Sequence, residues 1–153
     1  MLIRKKDGSV RWCIDYRQLN NVTVKDVYPL PLIDDCLDTL SGSVWFPKLD
    51  ANSAYFQLKI REEDRKKTAF ITKYGLYEHV RMGFGLCGAP ATFARAMNLV
   101  LRGLTWNTVL AFLDDVVVLG SSFNNHLVNL REALYRFRKY GLKLKPKKCS
   151  FLQ

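Results

Sequence analysis

Two apolar runs, Val109-Leu110-Ala111-Phe112-Leu113 and Val116-Val117-Val118-Leu119, enclose a pair of adjacent carboxylates, Asp114-Asp115. Runs of four or five such residues have the length of strands rather than helices, so the stretch reads as a β-hairpin whose arms are joined by two acids. Turn chemistry does not account for the pair. The favoured two-residue hairpin loops use Asn-Gly or Asp-Gly, and adjacent carboxylates repel each other. A cation would account for them, although such a dipeptide taken alone is ordinarily a solvated loop tip.

The rest of the chain supplies what this hairpin needs around it. Trp12 to Tyr16 reads as a short strand after the turn signal Lys6-Asp7-Gly8-Ser9. From Pro31, the apolar positions Leu32, Ile33, Cys36, Leu37 and Leu40 recur at helical spacing, with Asp34 and Asp35 near the start and Gly42 past the end. Val44 to Leu49 and Phe56 to Ile60 look like strands, and Ala69 to Thr72 with Leu76 to Val80 form a second hairpin around Lys73-Tyr74-Gly75. Pro90 opens a helix with an apolar stripe of Phe93, Ala96, Met97, Val100 and Leu101, ending at Gly103. A last helix runs from about Ser122 to Gly141, with Phe123, Leu127, Leu130, Leu134 and Phe137 on one face. Hairpins with few crossovers predict an α+β fold, helices packed on one face of an antiparallel sheet.

With 153 residues, 48% hydrophobic and 25% charged, the chain can bury roughly two-thirds of its unfolded surface and is not intrinsically disordered. No repeat or linker interrupts it, no apolar run is long enough to cross a bilayer, and the N-terminus has no signal-peptide core. The four cysteines, Cys13, Cys36, Cys87 and Cys149, are widely spaced, which fits a reduced compartment and not a structural zinc site. The net charge of +10 is concentrated at the two ends: +4 over residues 1–25 and +7 over 133–153, against −1 between them. Such ends suit a polyanion, although basic residues also simply solvate a helix and tail.

A third carboxylate, Asp50, closes another apolar run 64 residues before Asp114. If the two strands are neighbours, three carboxylates converge, and such a set can hold two Mg²⁺ ions about 3.5–4 Å apart. Gly83-Phe84-Gly85-Leu86-Cys87-Gly88 is a literal G-x-G-x-x-G before a helix. The dinucleotide reading of it fails, because no acid follows at the ribose-binding distance and the flanking strands are hairpin-connected.

Seven ordered motifs carry a family resemblance: residues 6–20, from Lys6-Asp7-Gly8 to Gln18-Leu19-Asn20; Tyr28-Pro29-Leu30-Pro31; Phe46-Pro47-Lys48-Leu49-Asp50; Lys67-Thr68-Ala69-Phe70; Gly85-Leu86-Cys87-Gly88-Ala89-Pro90-Ala91-Thr92-Phe93; Phe112-Leu113-Asp114-Asp115; and Lys147-Lys148-Cys149-Ser150-Phe151. Together they resemble reverse transcriptases, most of all those of gypsy-type LTR retrotransposons, over essentially the whole chain. The resemblance implies a fingers-and-palm core of the right-hand polymerase fold, one fragment over 1–153. Fingers elements are expected at about 1–45 and 60–85, palm elements at about 46–59 and 86–153, and no thumb.

It also implies RNA-directed DNA polymerase activity, with dNTPs added to a primer 3′ end on an RNA or DNA template. Asp50, Asp114 and Asp115 resemble the catalytic metal ligands, joined by the Ala51 carbonyl, for two Mg²⁺ ions that Mn²⁺ can replace. Tyr55 resembles the gate beneath the nucleotide sugar; Lys5, Lys6 and Arg11 the triphosphate cations; Phe84 and Gly85 the loop against the nucleotide. Asp15, Arg17 and Pro90 resemble template contacts, and Lys148, or its neighbour Lys147, the donor that protonates pyrophosphate. Phe112 and Gly83 stand where the family usually has Tyr and Pro. The parent polyprotein is expected to carry thumb, RNase H and integrase regions, with no membrane partner, in a cytoplasmic particle or the nucleus. The competing readings are a catalytically silent remnant that binds nucleic acid through its basic ends, and an oxidoreductase built on the Gly83 loop.

Overall fold

The computed structural model describes all residues except Met1, Lys5, Lys6, Asp7, Ser9, Leu30, Asp114 and Gln153, and only the backbone of Ile3, Arg11 and Trp12. In chain order the elements are β1 (Leu2–Arg4), β2 (Val10–Trp12), α1 (Arg17–Val22), α2 (Ile33–Leu40), β3 (Lys48–Asp50), α3 (Glu62–Arg65), β4 (Phe70–Thr72), β5 (Gly75–Tyr77), α4 (Ala89–Val100), β6 (Val109–Phe112), β7 (Asp115–Val118) and α5 (Phe123–Lys139). Single 3₁₀ turns occupy Ala54–Gln57, Lys66–Thr68 and Pro146–Lys148. The fold is α+β with antiparallel sheets, as the hairpin pattern predicts. Among the described residues no helix is long and apolar enough to cross a membrane.

The chain divides into two compact units, one of residues 1–26 and 55–90, the other of 27–54 and 91–153. In the second, an antiparallel sheet of order β3-β7-β6 is the floor of the core. Leu49, Val116, Val118 and Val109 are buried on it, and Phe93, Met97, Val100 and Leu101 of the α4 region are buried with them. Helix α5 begins at Ser122, whose hydroxyl accepts the Asn125 N–H, and carries Arg136, Arg138 and Lys139 in its last turn, where cations favour the helix dipole.

The buried face of α5 is His126, Leu130, Ala133 and Phe137, whereas Phe123 and Leu127 of the expected stripe are exposed. Close approach of backbone explains the offset. A Cβ on Gly120 would lie 2.6 Å from the Cβ and 2.8 Å from the Cα of His126, so the first turn of α5 sits against the chain where Gly120 bridges Trp45. The His126 ring is fully buried and stacks on Trp45, centroids 5.6 Å apart.

The first unit holds two hairpins, β1–β2 with Leu2 opposite Trp12 and β4–β5 with Phe70 opposite Tyr77. The expected strand from Trp12 to Tyr16 is instead the end of β2, followed by a turn into α1; Tyr16 accepts the Asn20 N–H at 2.7 Å and so caps a short polar helix that periodicity does not reveal. The expected strand from Phe56 to Ile60 is a 3₁₀ turn, then a lone bridge at Lys59–Arg81. The turn is fixed by Arg81, whose Nη1 donates to the carbonyls of Phe56 and Gln57 at 3.3 and 2.9 Å. Of the expected strand Val44 to Leu49, only Lys48 onward forms a ladder. Buried Tyr16 donates its hydroxyl to the Thr68 carbonyl at 3.0 Å, and the rings of Tyr16, Phe56 and Phe70 surround His79, whose pKa burial lowers.

Gly120→Ala forces the α5 backbone away from the sheet and costs about 1–3 kcal/mol, the scale of overpacking a tight contact. Urea denaturation checks this, with a lowered midpoint at unchanged slope expected. An unchanged midpoint would mean that α5 does not need this approach.

Candidate active site

Side chains alternate across a strand, and that rule positions the acids. Leu49 and Val116 are opposite each other and fully buried; their neighbours Lys48, Asp50, Asp115 and Val117 therefore lie on the other face of the sheet. Asp50 of β3 is directly opposite Asp115 of β7. Two carboxylates are thus placed side by side on the face turned away from the core. The β6–β7 register pairs Phe112 with Asp115, leaving a two-residue connection. Asp115 is consequently a strand residue and not part of the loop tip. Leu113 in that connection has φ +56°, a left-handed conformation that costs a non-glycine residue roughly 1–2 kcal/mol. Asp114 lies outside the described residues.

Each described acid has an ammonium partner. Lys48 Nζ lies 2.9 Å from Asp115 Oδ2, and Lys148 Nζ lies 3.2 Å from Asp50 Oδ2. The first pair is diagonal on one face of the β3–β7 ladder. The second comes from the far end of the chain, which pairs with the free edge of β3. Asn52 N–H donates to Lys143 O and Lys145 N–H to Asp50 O, both at 2.9 Å, and Lys48 and Ser150 exchange two bonds of 2.8 Å. Between these attachments the 3₁₀ turn Pro146–Lys148 carries Lys148, not Lys147, onto Asp50. Cys149 Sγ accepts the Asp50 N–H at 3.4 Å. The bonds flanking the Ala51–Leu144 bridge use neither the N–H nor the carbonyl of Ala51.

The first unit presents the other expected residues. Tyr55 packs edge-on against Phe84 with centroids 5.3 Å apart, and Phe56 packs on the same ring at 5.4 Å. Gly85 has φ +97° and is exposed. Arg17 grips Asp15 through Nε and Nη2 at 2.6–3.0 Å; these hydrogen bonds hold the Asp15 carboxyl at a pKa of about 2. Both side chains open onto a cleft shared with Gln18 and Asn21. Pro90 occupies the first turn of α4, where its missing N–H costs nothing. Lys5, Lys6 and the Arg11 side chain lie outside the described residues.

Among the described residues no three His, Cys, Asp or Glu side chains gather in one place; Asp114, the third acid of the expected triad, lies outside them. The donors that are described fit a hard divalent cation: two adjacent carboxylates and a carbonyl, all oxygen. Sequence reading missed Lys48 as the partner of Asp115. A lysine two residues before Asp50 and therefore on its face was the available signal. It missed the pairing of 143–150 with β3 as well, a long-range edge contact with no local pattern.

A sheet that turns paired aspartates away from its core, in a chain carrying an exposed glycine loop before α4, has the form of a polymerase palm. A family model described as "Reverse transcriptase (RNA-dependent DNA polymerase)" matches residues 3–153, and the chain belongs to that family. It is 41% identical over 154 residues to the retrovirus-related Pol polyprotein from transposon 297 of Drosophila melanogaster, covering 98% of this chain and 14% of the polyprotein. It is 44% identical over 126 residues to an RNA-directed DNA polymerase homolog of Oenothera berteroana, covering 80% of this chain and 89% of that protein. Among solved structures, a foamy viral protease-reverse transcriptase in complex with double-stranded DNA matches with a TM-score of 0.86 at 20% identity, over 99% of this chain and 26% of the other. The chain therefore has the reverse transcriptase fold and spans only about a seventh of the retrotransposon polyprotein it matches.

Replacing Lys48 with Met keeps the aliphatic stem and removes the cation from Asp115. In metal-free buffer the cost is at most about 1 kcal/mol, because the pair is half exposed. The rise in Tm on adding Mg²⁺ becomes larger than in the unaltered chain, since no ammonium has to leave the carboxylate. Thermal unfolding with and without Mg²⁺ reads this; equal increments would show that Lys48 does not compete at the site.

Proposed function

We propose that this chain is the fingers and palm core of an RNA-directed DNA polymerase of a retrotransposon, adding deoxynucleotides to a primer 3′ end. The observation that carries the reading is the placement of Asp50 opposite Asp115 on the coreless face of the β3–β7 ladder. Adjacent carboxylates in fixed strands are preorganised for cations and cost nothing to reorient at the moment of reaction. Asp50, Asp115, Asp114 and the Ala51 carbonyl would hold the two Mg²⁺ ions, which would supply activation of the 3′-hydroxyl and charge stabilisation of the departing pyrophosphate. In the transfer the 3′-hydroxyl releases its proton to solvent as its oxygen bonds to the α-phosphorus, the bond to pyrophosphate breaks, and Lys148 gives its proton to the leaving group.

The remaining residues bind and orient. Tyr55 lies beneath the sugar, Phe84 and Gly85 meet the nucleotide, and Lys5, Lys6 and Arg11 take the triphosphate, for which an Arg fork and Lys point charges are suited. Asp15, Arg17 and Pro90 meet the template. A primer-template partner is supported by foamy viral relatives of this fold solved with double-stranded DNA and with an RNA/DNA hybrid. The basic run at residues 136–148 adds affinity for phosphate without reading sequence. Thumb, RNase H and integrase regions of a parent polyprotein complete the machine, in keeping with the retrotransposon polyproteins it matches.

Primer extension on RNA and DNA templates tests the reading. Asp50→Asn lowers Mg²⁺-dependent extension by at least about a hundred-fold, the scale of losing a charged transition-state contact, while binding of the primer-template persists. Extension at near the unaltered rate would remove Asp50 from the site. Binding without extension by the unaltered chain would favour a silent nucleic-acid-binding remnant.

Tyr55→Val asks whether the ring excludes a ribose 2′-hydroxyl. Ribonucleotide incorporation rises relative to deoxynucleotide by about ten-fold or more, as a lost steric contribution of roughly 1–3 kcal/mol gives. Single-nucleotide incorporation rates on one template measure the ratio. A folded variant with the ratio unaltered would make Tyr55 an ordinary packing residue.

A further inference from the structure

The glycine loop before α4 is held by a side chain that none of the assignments above uses. Asn20, in α1, donates from Nδ2 to the Gly85 carbonyl at 2.8 Å and accepts the Cys87 N–H on Oδ1 at 2.9 Å. The carboxamide thus satisfies a carbonyl and an N–H two residues apart, standing in for the peptide group of a neighbouring strand. The backbone closes on the same side. Gly85 has φ +97°, and a Cβ there would lie 3.1 Å from the Ile14 carbonyl oxygen and 3.5 Å from the Tyr16 ring. Tyr16 is itself buried and tied by its hydroxyl to Thr68. Residues 14–20 therefore form a firm seat for the loop.

The loop in turn positions Phe84. That ring is wedged edge-on against Tyr55 and Phe56, so a shift of the Gly85 backbone moves the aromatic group beside Tyr55. The seat also carries the Asp15–Arg17 pair. One short segment thus links the residues assigned to the template with those assigned to the nucleotide.

We propose that Asn20 is a positioning residue that fixes the Phe84–Cys87 loop in the conformation that receives the incoming nucleotide, and thereby sets nucleotide affinity and sugar selection. This rests on the polymerase function proposed above. Two substitutions separate the contributions. Asn20→Ala removes both hydrogen bonds. Asn20→Asp keeps the acceptor for the Cys87 N–H and turns a carboxylate oxygen on the Gly85 carbonyl; a protonated carboxyl restores the donor, so its defect shrinks as the pH is lowered.

Two readouts test it on the whole chain. Hydrogen exchange needs no activity: in Asn20→Ala the Cys87 amide exchanges about ten-fold faster or more, as expected for two lost neutral hydrogen bonds, with the β4–β5 amides unchanged. In single-nucleotide incorporation, KM for the deoxynucleotide rises several-fold with a smaller change in kcat, and the ribonucleotide-to-deoxynucleotide ratio rises. In Asn20→Asp the KM defect is relieved toward acidic pH relative to the unaltered chain. Unchanged exchange at Cys87 would overturn the clamp. Faster exchange with KM and the sugar ratio unaltered would overturn the role in nucleotide selection. If the unaltered chain extends no primer, the polymerase reading fails and takes the nucleotide role with it, while exchange at Cys87 still decides whether Asn20 holds the loop.

Discussion

The register of β3 against β7 is the constraint on which the second unit depends. Because side chains alternate, one pairing sends Leu49 and Val116 into the core and turns Asp50 and Asp115 away from it. A slip of one residue in either strand would expose a fully buried aliphatic side chain and bury a carboxylate. An unpaired buried charge costs several kcal/mol, a large share of a typical domain stability. The ladder that assembles the candidate site is therefore the one that makes the core, and selection for folding and for chemistry act on the same hydrogen bonds. The left-handed Leu113 belongs to this arrangement. The tight connection it permits keeps Phe112 and Asp115 paired up to the end of the hairpin.

Charge follows from that geometry. Two acids on adjacent strands repel, and the chain neutralises them with Lys48 from the strand itself and Lys148 from a turn nearly a hundred residues away. These pairs are partly exposed and contribute little to stability. Their consequence lies in the site: a cation binding the two carboxylates would have to displace ammonium groups rather than water alone. The C-terminal basic run is accordingly not a solvated tail throughout. Its backbone is the second strand-like partner of β3, on the edge opposite β7, and Lys148 turns its charge onto Asp50.

What was legible in the sequence was what is local. The hairpin around Asp114-Asp115, the β4–β5 hairpin, α4 and the cap and end of α5 all announce themselves by period, glycine or proline within a few residues. The Asp50–Asp115 pairing followed from a single condition, that the two apolar runs be neighbours. The failures share a cause as well. Phe56, Leu58 and Ile60 alternate like a strand, yet their backbone is turned by Arg81 from 21 or more residues away. Phe123 and Leu127 look like core, yet Gly120 draws His126 inward instead. In each case a distant backbone contact overrides the local pattern.

The same distinction separates residues that touch a substrate from residues that place those residues. Aspartates, lysines and a tyrosine in recognised motifs take candidate roles from the sequence through the family resemblance. Asn20 cannot, because an asparagine in a short polar helix has no signature until its partners at Gly85 and Cys87 are seen. Its amide satisfies two backbone groups of a loop that contains a left-handed glycine and has no strand to pair with. A loop of that kind, left to water, would sample many conformations, and ordering it on each encounter would be charged against nucleotide binding. Seating it in advance lowers that cost, and under the proposed function it would tie the precision of the nucleotide contact to the rigidity of residues 14–20. Under the proposed polymerase function, selectivity then rests as much on a half-buried asparagine beside the loop as on the aromatic rings of Tyr55 and Phe84.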